Sequence, residues 1–159
     1  MMRIAALAAL GILLGGCGFQ PLYGSNTAPQ MSAIYVEDIA ERNGFELRTR
    51  LIEILNTDGV QAGKRYRLKV TLSEFSQGIA LQNDATITRY NTRMQARYVL
   101  SDAGGKELYR GNQSELSSYN VVQSPYATLA AEQDAGKHAV QDMAERIRLE
   151  LGVWFRRQK

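Results

Sequence analysis

The sequence predicts an α+β fold, a two-layer sandwich in which two helices pack on one face of a four-stranded mixed sheet. Two observations predict this class. Apolar and polar residues alternate over two long segments in the middle of the chain, and a Gly-rich turn leads into a third extended segment. Apolar residues recur at helical spacing in two other segments, one before these strands and one after them. The predicted order of elements is β-α-β-β-β-α.

The first half of the domain contains a short strand, a helix and a longer strand. Residues 33–36 are β-branched and aromatic, which predicts the first strand. Asn43 as N-cap and Glu46 at the third helical position predict the start of a helix, and residues 56–59 predict its end. The next strand alternates Tyr66, Leu68, Val70 and Leu72 with polar residues. Its alternation inverts at residues 74–75, which predicts a β-bulge or a bend there.

A hairpin and a long helix complete the predicted domain. The third strand alternates Tyr90, Thr92, Met94, Ala96, Tyr98 and Leu100 with polar and basic residues. Residues 101–105 form a turn, and residues 107–119 form the returning strand. Ser124 and Pro125 suit the N-cap and first position of the last helix, in which Gly136 is a weak point. Its apolar face comprises Val140, Met143, Ile147, Leu151 and Trp154.

The N-terminal segment has the composition of a bacterial lipoprotein signal. Arg3 supplies the positive charge, residues 4–14 are apolar, and two glycines precede Cys17, the only cysteine. The apolar run is far shorter than the roughly 20 residues that span a bilayer. We therefore predict cleavage before Cys17, with diacylglycerol on its thiol and an acyl chain on its amine. The alternatives are a plain secretory signal with an incidental cysteine, or a buried apolar strand.

These features divide the chain into a signal peptide (1–16), an acylated N-terminal tether (17–31) and a single sandwich domain (32–159). Loss of Arg3 with the signal lowers the formal net charge from +3 to +2. No disulfide is possible once the only thiol is acylated. The basic excess is rich in arginine, which suits phosphate or carboxylate partners. Because an exported chain rarely meets nucleic acid, we expect anionic envelope material as the partner.

The start of the mature chain resembles a known family. The residues that carry the resemblance are Cys17, Gly18, Phe19, Gln20, Pro21, Leu22, Tyr23 and Gly24. They are similar to the mature start of the LptE lipopolysaccharide-assembly lipoproteins, especially those of alphaproteobacteria, and the element order also matches that family's fold. The resemblance implies a lipid-anchored outer-membrane protein that plugs an LptD-type barrel, assists its assembly and binds lipopolysaccharide. Gly18, where retained lipoproteins commonly have Asp, implies outer-membrane sorting. The family resemblance implies that the domain lies on the periplasmic side, within the barrel lumen.

Other function classes have less support. The only histidine, His138, lies four residues from both Asp134 and Asp142 on the last predicted helix, and we interpret this group as a surface charge cluster. No catalytic motif accompanies it, and one histidine with an acylated cysteine makes a poor metal site. We therefore predict a protein that is not an enzyme and that needs no cofactor beyond its acyl chains. The main alternative is a generic envelope lipoprotein that binds peptidoglycan or another protein, and a small periplasmic hydrolase is a distant third.

A stripe of basic residues is the candidate binding site. Arg89, Arg93 and Arg97 project from the same face of one strand, about 13 Å between successive arginines. Arg67 and Lys69 lie on the same outward face of a neighbouring strand if both strands turn their apolar side to the helices. Guanidinium groups bind phosphates in bidentate fashion, so these five residues are lipopolysaccharide-binding candidates. The alternative is an ordinary charged face that prevents edge pairing.

Overall fold

The computed structural model describes residues 28–81 and 87–158 and confirms the predicted α+β class. The elements in chain order are α1 (Ala28–Ser32), β1 (Ile34–Val36), α2 (Arg42–Ile54), β2 (Tyr66–Leu81), β3 (Ile87–Asp102), β4 (Glu107–Asn120) and α3 (Pro125–Arg157). The strands form one sheet in the order β1-β2-β3-β4, parallel between β1 and β2 and antiparallel elsewhere. The predicted signal peptide, the acylation site Cys17 and most of the tether lie outside the described residues.

The core lies between one face of the sheet and the helices α2 and α3. Alternation along β3 turns every second side chain inward, and the inward residues from Thr92 to Leu100 are buried. They pack with buried leucines of α2 and with a buried stripe of α3. The principal helical members are Leu47, Leu51, Met143, Ile147 and Leu151. Burial of each such side chain stabilises the fold by about 1.5–3 kcal/mol, so this one core holds both layers together.

The start of α2 differs from the prediction. The helix begins at Arg42, and Glu41 occupies the N-cap with φ 68° and no side-chain capping bond. Asn43 is therefore not the N-cap, and the prediction was wrong. Its side-chain amide instead donates to both carboxylate oxygens of Glu74 in β2, at 2.9 and 3.0 Å. A residue suited to capping is thus used in a contact between the helix and the sheet.

The prediction of a bulge or bend at residues 74–75 is also wrong. β2 pairs with β3 in continuous register from Tyr66 to Gly78, and the register shifts only between Gly78 and Leu81. Glu74 points inward, where it meets Asn43, and Phe75 points outward with 66% of its surface exposed. β2 here extends past the apolar core, so a side chain that points inward at this level does not contact the core and can be polar. The alternation changes in polarity while the backbone continues unbroken.

The hairpin and the last helix agree with the prediction. The turn is held by Asp102 Oδ1, which accepts hydrogen bonds from the backbone amides of Gly104 and Lys106 at 2.9 Å. Ser124 caps α3 by accepting from the amide of Ala127 at 3.4 Å. Gly136 does not interrupt the helix. A Cβ there would lie 3.2 Å from Oδ1 of Asn43, so this glycine lets α3 approach α2 closely.

One short helix, α1, precedes β1 and was not anticipated. Met31 in α1 packs against the last turns of α3, where a Cβ on Gly152 would lie 2.8 Å from Cε of Met31. The ammonium group of Lys64 donates to the backbone carbonyl of Ser32 at 2.9 Å. The chain therefore enters the domain at the end where α3 finishes.

A basic face on the open side of the sheet

One face of the sheet turns away from the helices, and we call it the open face. It carries the predicted basic stripe. Arg89, Arg93 and Arg97 are exposed, and every second residue of β3 between them, from Tyr90 to Ala96, turns to the helical side. Asn91 and Gln95 share the outward face, and the Asn91 side chain accepts a hydrogen bond from Ser118 in β4. The structure thus places the three arginines in one row, as the alternation predicts.

The strand register brings different neighbours to each arginine. Arg97 lies between Thr71 of β2 and Asn112 of β4. One row nearer the hairpin turn, Lys69 and Arg110 lie on either side of Val99. Directly opposite residues of antiparallel strands point to the same face, so these side chains surround one point on the sheet. Lys69, Arg97 and Arg110 form what we call the cationic cluster.

The cationic cluster borders a shallow concavity of about 580 Å3, whose floor includes Val99. Arg110 also binds Glu107, with two nitrogen–oxygen distances of 3.0 and 2.7 Å. This hydrogen bonding lowers the pKa of Glu107, so the carboxylate offsets one of the three positive charges. Lys69 and Arg97 have no ion-pair partner among the described residues. The cluster therefore keeps a positive excess that suits a phosphate group.

The other three predicted site residues, Arg67, Arg89 and Arg93, do not border this concavity. Arg67 pairs with Glu37 at 3.5 Å, beside the short strand β1. Arg89 lies at the opposite end of β3, opposite Asn120. Arg93 lies between Arg89 and the cluster, two residues before Gln95 on the same face. The five predicted residues share a face, but only Lys69 and Arg97 border the same concavity.

Apolar side chains flank the arginine row, which the sequence analysis did not anticipate. Arg93 lies between Phe75 of β2 and Leu116 of β4, which are 66% and 60% exposed. Phe75 and Lys69 are an even number of residues apart in β2, so the strand alternation alone indicates that both side chains point outward. The resulting face combines cations with exposed apolar surface. Such a face suits a ligand that carries both phosphate and hydrocarbon.

The only histidine, His138, lies in a surface ion pair. His138 Nε2 lies 3.5 Å from Oδ2 of Asp134, and both side chains are exposed, as expected for a surface charge cluster.

Within residues 28–81 and 87–158, no group of three potential ligands is placed to hold a metal ion. In the same part of the chain, no helix has the length and apolar content needed to cross a bilayer.

Comparisons with known proteins agree with this architecture. Residues 31–151 match the family described as LptE, lipopolysaccharide-assembly. An uncharacterized protein of Rickettsia prowazekii is 27% identical over 160 residues, which cover 99% of this chain and 100% of the relative.

Solved structures show the same fold. A candidate lipoprotein from Caulobacter crescentus is 28% identical, with a TM-score of 0.70 over 85% of this chain and 98% of its own. A minor lipoprotein from Acinetobacter baumannii has 17% identity and a TM-score of 0.61, with 77% and 92% covered. Rare lipoprotein B from Shewanella oneidensis has 15% identity and a TM-score of 0.58, with 76% and 92% covered. The last two likenesses concern the fold alone.

Proposed function

The chain belongs to the LptE family of lipopolysaccharide-assembly proteins, and from this premise we propose its mode of action. We propose that it is an outer-membrane lipoprotein, acylated at Cys17, that binds lipopolysaccharide on the open face of its sheet. In the same proposal the domain occupies the lumen of an LptD-type barrel, assists the assembly of that barrel and acts without catalysis.

The main support for this proposal is the composition of the open face. Its cationic cluster has two basic side chains without an ion-pair partner in the described chain, Lys69 and Arg97. Beside it, Arg93 is flanked by exposed Phe75 and Leu116. Lipopolysaccharide has phosphate groups and acyl chains in one molecule, so a face of this composition can contact both parts. The opposite face of the sheet is closed by the helices.

Binding follows from the chemistry of the two kinds of side chain. Guanidinium groups make paired hydrogen bonds to phosphate oxygens, and these charge-assisted bonds are stronger than neutral ones. Exposed apolar side chains gain free energy when acyl chains cover them, about 25 cal/mol for each Å2 removed from water. Both contributions favour a monomeric lipopolysaccharide molecule laid along the strands, and they compete with its aggregation in water.

The first test reverses charge on the open face. We expect the double variant Arg93→Glu, Arg97→Glu to lose most of its affinity for purified lipopolysaccharide, because like charges at such a surface cost several kcal/mol of binding. The loss should shrink as salt rises, since surface charges are screened over about 8 Å at physiological ionic strength. Binding is measured with purified protein, and thermal melting is followed in parallel.

A matched control makes the same charge change on the helical layer. Arg42 and Lys137 are exposed on α2 and α3, so Arg42→Glu with Lys137→Glu alters the net charge equally and leaves the open face intact. Both double variants should retain the melting behaviour of the wild type, since exposed substitutions usually change stability by less than about 0.5 kcal/mol. If the two variants bind lipopolysaccharide equally well, the open face is not the binding site.

A further inference from the structure

The strand β4 forms one edge of the sheet. It has 14 residues, and β3 is the only strand in the described chain that pairs with it. Edge strands of natural proteins are usually kept short or protected by Lys, Pro or a bulge. The stretch from Gly111 to Asn120 contains no Lys and no Pro, and it pairs with β3 without a register shift. This edge is therefore open to the addition of another strand.

The register shows which backbone groups of β4 face the open edge. The amide of Val121 donates to the carbonyl of Thr88 at 2.9 Å, one residue beyond the last pair of the two strands. In an antiparallel pair of strands, residues bonded in this way alternate with residues whose backbone groups point away. The amides of Leu116, Ser118 and Asn120 therefore point outward, and within the residues that the structure describes they have no hydrogen-bond partner.

A groove of about 440 Å3 runs along this edge between β4 and the helix α3, and we call it the β4 groove. It is lined by residues 115–120 of β4 and by one side of α3. The ring of Tyr119 stacks on that of Tyr90, with centroids 5.5 Å apart, and forms an aromatic wall. On the helix, Ala131 and Ala135 are small and leave room for long side chains. In strand addition, backbone hydrogen bonds supply affinity and pockets for alternate side chains supply specificity.

The β4 groove carries an excess of negative charge. Asp134 and Asp142 are exposed on its helix side. Asp142 has no ion-pair partner in residues 28–81 and 87–158, and Asp134 lies beside the exposed His138. Glu115, which also lines the groove, is already neutralised by Arg146. The two aspartates therefore favour a partner with lysine or arginine side chains.

The spacing of these aspartates matches that of side chains on a strand. Asp134 and Asp142 are eight residues apart on α3, which is about 12 Å along a helix. Side chains four residues apart on a strand share a face and lie about 13 Å from each other. The stems of lysine and arginine can lie over the ring of Tyr119, with the charged ends at the carboxylates. Burial, with the nearby charge of Glu132, raises the pKa of Tyr119, so a further carboxylate acts on this ring.

We infer that the β4 groove binds an extended segment of a partner protein as a fifth strand of the sheet, with basic side chains four residues apart on Asp134 and Asp142. The added strand lies about 4.8 Å from β4 in the plane of the sheet, so it extends the open face and does not cover it. Inside the proposed barrel such a segment comes from a loop, because the strands of a closed barrel already pair with one another. The groove thus adds a protein-binding edge to the proposed function and acts independently of lipopolysaccharide binding.

The test selects peptides on the full mature protein, purified from membranes in detergent, out of a displayed library of random dodecapeptides. We expect enriched peptides to carry Lys or Arg four positions apart. With an enriched peptide bound, the amides of Leu116, Ser118 and Asn120 should exchange hydrogen more slowly, because they then donate to the added strand. The amides of Ser117 and Tyr119 already face β3 and should change little.

A proline variant tests the backbone contact. Ser118→Pro removes one outward amide and no bond to β3, and proline is tolerated where the amide of an edge strand faces solvent. We expect it to weaken peptide binding by about tenfold, since one hydrogen bond is lost and its acceptor is left unpaired. Asn112→Pro is the matched control, because this residue also faces the open edge but lies outside the groove. It should bind the peptide as the wild type does, and thermal melting is followed for both variants.

A charge variant tests the side-chain contact and remains informative if the proline variant unfolds. Asp134→Asn with Asp142→Asn should weaken binding about threefold to tenfold at low salt and less at high salt. Asp38→Asn with Glu41→Gln makes the same charge change beside β1, at the opposite edge of the sheet, and should have no effect.

Four results overturn the inference: no peptide is enriched, the edge amides gain no protection, a folded Ser118→Pro binds as the wild type does, or a control loses as much affinity as its groove variant. Lipopolysaccharide binding is measured separately on the open-face variants. Protein that binds lipopolysaccharide but no peptide defeats only this inference, whereas protein that binds peptide but no lipopolysaccharide defeats only the proposed function.

Discussion

Tyr98 connects the two layers through a partly buried hydrogen bond. Its hydroxyl donates to the carboxylate of Glu150 in α3, which also accepts from Tyr109 at 3.2 Å and from Gln113 at 2.6 Å. Burial, together with the nearby carboxylate, raises the pKa of Tyr98 well above its usual value. Burial also raises the pKa of Tyr109. Both phenols therefore stay protonated in the folded protein over a wider pH range than in the unfolded chain.

This shift predicts that stability falls at alkaline pH. Above about pH 10 the unfolded chain releases tyrosine protons that the folded protein keeps, so the free energy of unfolding decreases as pH rises. Below that pH the contribution is fully present. Tyr98→Phe should lower stability at neutral pH by about 1–3 kcal/mol and flatten the alkaline decline. Urea unfolding from pH 7 to pH 11 measures both, with the exposed Tyr126→Phe as control. An alkaline slope equal in wild type and Tyr98→Phe would refute the assignment.

Gly111 makes room for the Tyr98 ring. The two residues are directly opposite in β4 and β3, and a Cβ on Gly111 would lie 2.4 Å from Cζ and Oη of Tyr98. Gly111→Ala must displace the ring and weaken its bond to Glu150, so we expect a loss of about 1–3 kcal/mol. Asn112→Ala, on the outward side of the same strand, should change stability far less. Chemical denaturation compares the two, and equal effects would contradict the steric argument.

Cys17 carries the proposed anchor. Cys17→Ala removes the only thiol, so we expect a precursor that is neither acylated nor processed, because the lipoprotein peptidase acts on the modified cysteine. Mass spectrometry and membrane fractionation provide the measurement. A variant that still carries acyl chains and still fractionates with the outer membrane would show that the anchor lies elsewhere.

The helix α3 has two segments with different roles. From Gly136 onward it contributes a buried stripe to the core, whereas residues 125–135 include none that is fully buried. Tyr126 and Leu129 in the first segment are 82% and 49% exposed. The first segment is therefore held by its cap and by backbone hydrogen bonds rather than by packing.

This division predicts a local effect of removing the cap. Ser124→Ala should destabilise the start of α3 by about 0.5–2 kcal/mol and speed hydrogen exchange at the amides of residues 127–134. The amides of residues 139–151 and the melting temperature should change little, because the core does not depend on the first turns. Ser114→Ala, exposed on β4, serves as control. Faster exchange throughout α3 would show that the helix unfolds as one unit.

The whole molecule has one closed face and one open face, which suits a domain that works inside a larger assembly. The proposed lumen of an LptD-type barrel would supply walls for this domain. We expect a one-to-one complex with a many-stranded barrel on isolation from mildly solubilised membranes, and loss of barrel assembly when the lipoprotein is depleted. Depletion that leaves barrel folding and surface lipopolysaccharide intact would refute the proposal, and isolation without a barrel would favour the generic envelope-lipoprotein alternative.

The order of the elements from β1 to α3 and the common face of Arg89, Arg93 and Arg97 could be predicted from the sequence because both depend on local periodicity. A strand places every second side chain on one face whatever its neighbours are. The neighbours themselves were decided by the tertiary structure. Arg110 joins Lys69, and Phe75 and Leu116 flank Arg93, only because of the register between strands far apart in the chain. Likewise, Asn43 binds Glu74 rather than capping α2, because a long-range contact replaced the local one.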